Sequence, residues 1–200
     1  NFFIANDMAL SKVWGPNELS RLHADLKKVI HYLISRSTRN SEHFRAFWTT
    51  IRDTNHEVGV VTSNYDTLLD EAFDAIYPSC LLDYCIDLVN YRHAMGITPF
   101  DWWIDPRKPT DWSDELVSTR IKLVKLHGSL NWKFCNCCGQ VALTPWQHAI
   151  NLKADSFESF LDVQTNECPF DGNRLASLIQ VPAHHKVTNN YIFNKLYDEA

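Results

Sequence analysis

At 200 residues, with 45% apolar and 22% charged side chains and only 6 Gly and 8 Pro, the chain has the size and make-up of one compact enzyme-sized body, not of a disordered, fibrous or low-complexity protein. The formal charge of -5 comes with scattered Lys and Arg and no basic run, which argues against a nucleic-acid surface and for a small-molecule ligand. No stretch approaches the roughly 20 apolar residues that span a bilayer, and residues 1–5 lack a signal-peptide start, so a cytoplasmic protein without a membrane partner is expected.

In chain order, residues 16–35 carry Leu19, Leu22, Leu26, Ile30 and Leu33 at three- and four-residue steps behind Pro16. That spacing predicts an amphipathic helix with the stripe turned inward. A second helix is predicted over 42–52, where Phe44, Phe47, Trp48 and Ile51 share a face before the charged turn 53–57. Residues 58–62, a short run of Val and Gly, read as a strand buried on both faces, and such strands belong to parallel sheets. The run ends in Ser63-Asn64-Tyr65-Asp66, and residues 67–76 follow as a helix with Leu68, Leu69, Ala72, Phe73 and Ile76 inward.

Residues 88–112 hold Trp102, Trp103, Trp112, Pro99, Pro106 and Pro109 with weak periodicity. They predict a long excursion, either an aromatic-packed surface loop or a substrate lid. Residues 121–126 are the next strand, largely apolar despite Lys122 and Lys125, and they deliver His127-Gly128-Ser129 to its end. A last helix is predicted over 191–200, and no internal repeat is found. Because the chain opens on Asn1 and closes at Ala200 within that helix, a fragment of a longer protein is expected.

Polar groups just beyond the C-terminal ends of buried strands are where open α/β sheets bind ligands. Asn64, Asp66 and His127 all hold that position. A histidine there titrates near neutrality and serves as a general base. Asn64 both donates and accepts hydrogen bonds, and Asp66 can take a ribose hydroxyl or order its loop. The plainer alternatives are that Asn64 and Asp66 cap the helix starting near Thr67 and that His127 is a satisfied core histidine.

Of six cysteines, Cys135, Cys137 and Cys138 fall within four positions and Cys168 precedes Pro169, a grouping that suits a metal better than disulfides. Two Cys-containing turns, Cys135-Asn136-Cys137-Cys138-Gly139 and Cys168-Pro169-Phe170-Asp171-Gly172, resemble the paired knuckles of a structural zinc ribbon. Cys135, Cys138, Cys168 and Asp171 are the candidate zinc ligands, Asp171 standing where a fourth thiolate would be and Cys137 being a substitute. The alternative is a degenerate ribbon held by packing. Cys80 and Cys85 read as small buried apolar residues.

Taken together, these motifs resemble the sirtuin superfamily. Thr62-Ser63-Asn64-Tyr65-Asp66 is similar to its Thr-Gln-Asn-Ile-Asp motif and Lys125-Leu126-His127-Gly128-Ser129 to its His-Gly motif, with Cys135 at the family spacing and residues 168–172 as the second knuckle. Residues 64–69 and 126–132 look closer to the bacterial sirtuin-like branch, whose members often destroy NAD in antiviral defence, than to the protein deacetylases. The resemblance covers about 58–182. It implies an α/β fold: a Rossmann-like parallel sheet with helices on both faces (1–132 and 173–200), truncated at both ends, plus a zinc-ribbon-like insertion (133–172).

The resemblance implies that His127 is the general base and that Asn64 positions the attacking water or ribose. NAD contacts would fall on Thr62, Ser63, Asn64, Asp66 and Gly128. NAD enters as substrate and zinc as a structural ion, and the partners implied are a flanking effector or sensor domain and a second copy of the chain. Ser63 replaces the family's Gln, and no Gly-Ala-Gly-x-Ser phosphate loop or glycine-rich adenosine segment occurs. Both are expected beyond Asn1 and Ala200. The activity implied is NAD glycohydrolysis, with NAD-dependent protein-lysine deacylation or a non-catalytic NAD or ADP-ribose binding module as alternatives.

Overall fold

The computed structural model describes residues 13–37, 42–54, 57–90, 107, 120–144, 167–181 and 190–200. Helices α1 (Pro16–Ser37) and α2 (Glu42–Thr54) precede strand β1 (Val60–Thr62) and helix α3 (Leu68–Ile76). Strands β2 (Leu81–Asp83), β3 (Leu88–Asn90), β4 (Arg120–Lys125), β5 (Gly128–Cys135), β6 (Val141–Leu143) and β7 (Leu175–Ile179) follow, and α4 (Tyr191–Glu199) closes the described chain. The tryptophans and prolines of the 88–112 excursion lie outside the described residues.

The predicted parallel sheet is present, ordered β1-β4-β2, with Val60 opposite Leu123, Thr62 opposite Lys125 and Leu82 opposite Ile121. A second, mixed sheet is ordered β3-β6-β5-β7: β3 runs parallel to β6, and β5 antiparallel to both β6 and β7. The stretch after the second knuckle was expected to rejoin the parallel sheet. As β7 it pairs antiparallel with β5 instead and forms the edge of the mixed sheet. Position 133, the expected start of the insertion, falls inside β5.

One continuous core links the two sheets, running from Trp48, Phe73 and Leu123 to Trp132, Leu178 and Leu196. Helix α2 docks on α3 through Trp48, whose ring meets Phe73 edge-on at 5.1 Å and whose indole N–H donates to the Leu69 carbonyl at 2.9 Å. That bond satisfies the one polar atom of a fully buried side chain.

Helix α1 starts with the Glu18 carboxylate accepting from the Gly15 backbone N–H at 2.9 Å, half of a capping box. Its stripe departs from the expectation. Leu33 is 55% exposed, whereas His31 is buried. Lys27, one turn before His31, donates to the Ser177 carbonyl on β7 at 3.4 Å. A helix that seats its Lys27–His31 edge on the sheet turns Leu33, two positions on, to the far side. Burial, helped by the Lys133 charge, pulls His31 down to about 3, and burial brings the Lys133 ammonium to about 8.

Cys85 also departs from its expected role as a buried filler. It is half-buried with a left-handed φ of 59°, held by the Asp83 carboxylate, which accepts from its backbone N–H at 2.8 Å. Burial and the neighbouring Asp83 push its thiol up to about 11.

Candidate functional site

Parallel pairing of β1 with β4 decides where the candidate residues lie. The ladder ends at Thr62 and Lys125 and is extended by one bond, Leu126 N–H to the Thr62 carbonyl at 2.9 Å. Asn64 and His127 therefore both emerge two residues beyond paired strand ends, on the same edge of the sheet, as the switch-point rule requires of a ligand crevice.

The two loops are also tied to each other. Leu130 N–H donates to the Tyr65 carbonyl at 3.0 Å, and the Tyr65 hydroxyl reaches the Gln180 carbonyl at 2.6 Å. Gln180 N–H in turn donates to the His127 carbonyl at 2.9 Å. The Tyr65 and His127 rings lie 5.9 Å apart, centroid to centroid. His127 is half-buried, Ser63 and Asn64 are exposed, and Asp66 is half-buried.

Local bonds show which polar atoms the fold already uses. The Thr62 hydroxyl accepts from Asn64 N–H at 3.1 Å, which turns the chain sharply out of β1. One Asp66 carboxylate oxygen accepts from Leu68 N–H at 3.1 Å, an Asx turn just before α3, whose N-cap residue is Thr67, without a side-chain cap bond. Behind His127, Gly128 sits at φ +78°, and a Cβ there would stand 2.0 Å from the Leu178 carbonyl oxygen. Only glycine permits both the turn and the close approach of β7.

Beneath these two loops lies a group that pattern reading missed. Lys125, 1% exposed, pairs with Asp70 at 3.1 Å, and the Tyr84 hydroxyl donates to the same carboxylate at 2.9 Å. The Lys125 ammonium also donates to the Asp66 carbonyl, pinning the Asn64–Asp66 turn to the end of β4. Arg107, the one described residue of 91–119, donates to the Asp70 carbonyl at 2.9 Å and packs over Phe73 and Tyr84. The signal was a lysine at the buried end of β4, after Leu123 and Val124, where an ammonium demands an acidic partner.

At the far end of β5 the two knuckles face each other. Gly139 N–H donates to the Cys135 carbonyl at 3.0 Å and Gly172 N–H to the Cys168 carbonyl at 2.9 Å, so both turns share one backbone form. One ligand atom from each of Cys135, Cys138, Cys168 and Asp171 lies within 4.8 Å of all the others. The Cys138 and Cys168 sulfurs are 3.6 Å apart, and Cys135 Sγ is 3.3 Å from an Asp171 oxygen. A disulfide needs about 2.05 Å, whereas zinc–sulfur bonds of about 2.3 Å in a tetrahedron separate two thiolates by about 3.8 Å. The donor set thus has the spacing of a tetrahedral ion, and Cys137 stands outside it.

Charge in the knuckles follows from their crowding. Desolvation pushes the Cys138 thiol up to about 12 and raises Cys168, while the bond to Asp171 raises Cys137. The Asn173 backbone N–H holds the Asp171 carboxyl well below its usual range. Any metal must displace the thiol protons, so its affinity rises with pH.

Among the described residues no helix is long and apolar enough to cross a membrane. Among curated proteins, none matches the chain. The family model described as SIR2-like domain matches residues 58–182, which hold β1 to β7 and both knuckles. On that match, over well more than half of its length, the chain belongs to the SIR2-like domain family, and its function is sirtuin-like and NAD-related.

Proposed function

We propose that the chain is an NAD glycohydrolase, with its reaction centre in the crevice between Asn64 and His127. One observation supports the reading: the β1–β4 pairing ends at Thr62 and Lys125, two residues before Asn64 and His127. His127 acts as general base on the attacking water or on a ribose hydroxyl, its half-buried ring keeping access to both solvent and substrate. Asn64 orients the water. The Asp66 oxygen that does not accept from Leu68 takes a hydroxyl of the nicotinamide ribose, and Thr62, Ser63 and Gly128 form the adjoining wall.

In the reaction the bond from ribose C1′ to the nicotinamide nitrogen breaks and the water oxygen bonds to C1′. Nicotinamide, ADP-ribose and a proton are the products. Positive charge develops on the ribose ring as nicotinamide departs, and a preorganised polar pocket lowers that barrier most. The Lys125–Asp70 pair supplies the preorganisation by fixing the Asp66 turn.

Zinc is proposed at Cys135, Cys138, Cys168 and Asp171, supported by their mutual spacing. Bound there it would cross-link the two knuckles and hold β5 against β7, a structural part far from the bond being broken. Its signature is one zinc per chain by elemental analysis, lost in Cys168→Ser.

The test of the reaction is product analysis. NAD is incubated with the protein, with and without an acetyl-lysine peptide, and nicotinamide, ADP-ribose and acetylated ADP-ribose are separated. Nicotinamide with ADP-ribose in the absence of peptide is the expected result. Release only with peptide would make the protein a deacylase, and release under neither condition would make it a binding module.

A further inference from the structure

Away from the crevice, β5 and β7 collect positive charge under α1. Lys133, only 4% exposed, donates to the Ser177 hydroxyl at 3.3 Å. Lys27 of α1 donates to the Ser177 carbonyl at 3.4 Å. His31, buried and one helical turn beyond Lys27, adds a third nitrogen-bearing side chain. Two ammonium groups thus converge on one serine, and among the described residues neither forms an ion pair with a carboxylate. Asp25, two positions from Lys27, lies about 200° around the helix from it.

Buried ammonium groups are stable when an opposite charge and hydrogen bonds compensate them. The contrast within the same chain is direct. Lys125, equally buried, has Asp70 at 3.1 Å, whereas the described partner of Lys133 is a neutral hydroxyl. Ser177 accepts from Lys133, which leaves its own proton to donate. Two cations on the carbonyl and the hydroxyl of one serine, with that hydroxyl's proton to donate, match in charge and hydrogen bonding a tetrahedral oxyanion carrying two charges.

We propose that Lys27, Lys133 and Ser177 form a binding site for a phosphate group, either free phosphate or the terminal phosphate of a small nucleotide. The site is separate from the reaction centre, since Lys133 lies six residues along β5 from His127, about 20 Å at the rise of an extended strand. It goes beyond the glycohydrolase reading and stands without it. An occupying phosphate would clamp α1 to the edge strand β7, coupling the helix to the sheet that carries the knuckles.

The test is calorimetric titration and thermal melting with inorganic phosphate and, separately, AMP, at constant ionic strength against chloride. The wild-type protein should bind phosphate and melt higher in it than in chloride. Lys133→Met, which keeps the volume of the stem without the charge, should weaken binding at least tenfold, and Lys27→Gln about threefold. Without phosphate, Lys133→Met should melt no lower than wild type, because it removes an ammonium that lacks a carboxylate partner. If AMP binds more tightly than phosphate and shows the same Lys133 dependence, the ligand is a nucleotide; if it binds more weakly, free phosphate is the ligand. A phosphate effect no larger than that of chloride, or one retained in Lys133→Met, overturns the site. Should Lys133→Met fail to fold, an unweakened phosphate affinity in Lys27→Gln and Ser177→Ala overturns it equally.

Discussion

The crevice at the ends of β1 and β4 and the mixed sheet that carries the knuckles solve the same problem, holding polar groups beside a core, in opposite ways. Around the crevice the charges are balanced from within: Lys125 meets Asp70 and Tyr84, and backbone bonds tie the Tyr65, His127 and Gln180 segments into one frame. The mixed sheet gathers like groups, sulfurs at one end of β5 and ammonium groups beside Ser177. A site balanced internally holds its polar groups fixed before the substrate arrives, as a reaction with developing charge requires. One made of like groups is suited to ions, which the sheet would take as part of its structure.

The sharpest way to break this contrast is to unbalance the crevice. Asp70→Ala leaves the Lys125 ammonium buried without its partner and should cost about 3–5 kcal/mol, read by urea unfolding. A loss under 1 kcal/mol would mean that the pair does not hold the turn. Next comes Gly128→Ala, whose Cβ has no room beside the Leu178 carbonyl; strain and displacement of β7 should cost about 3 kcal/mol. In the knuckles the effect depends on the metal. With free zinc a hundredfold above its dissociation constant, the folded state should gain about 2.7 kcal/mol, and a chelator should remove the gain. Asp171→Cys should tighten zinc binding by completing four thiolates, and an unchanged affinity would show that Asp171 is no ligand.

The effect that needs the finest measurement is a slope with pH. His31, at about 3 in the folded state against an ordinary 6.5, resists the proton that the unfolded chain accepts. Its contribution is therefore complete above pH 6.5 and lost as pH falls toward 3, at up to about 1.4 kcal/mol per pH unit. His31→Leu should flatten that slope in melting curves between pH 4 and 6.

Much of the placement of the candidate residues was legible because it depends on strand ends. Short Val-rich and Leu-rich runs mark parallel strands whatever their neighbours, and the polar residues after them, Asn64 and His127, must then project from the sheet edge. The knuckles were legible from the residue types at fixed turn positions, including Asp171 in place of a thiolate. What escaped were consequences of pairing. Nothing in residues 175–179 singles out β5 as their partner, so the place of β7 in the mixed sheet was not foreseen. The spacing of Leu26, Ile30 and Leu33 marks a helix but not which edge it seats, and the Lys27–His31 edge prevailed over Leu33. Lys125 and Asp70, 55 residues apart, become partners only once α3 lies on β4.

The central claim is that the Asn64–His127 crevice cleaves NAD, and the most direct measurement is the rate of nicotinamide release by wild type and His127→Ala, each shown to be folded by circular dichroism. Removal of a general base typically costs about 10²–10⁴-fold, so a fall of that size without loss of fold is the predicted result. Release by His127→Ala at the wild-type rate would contradict the account and place the chemistry elsewhere.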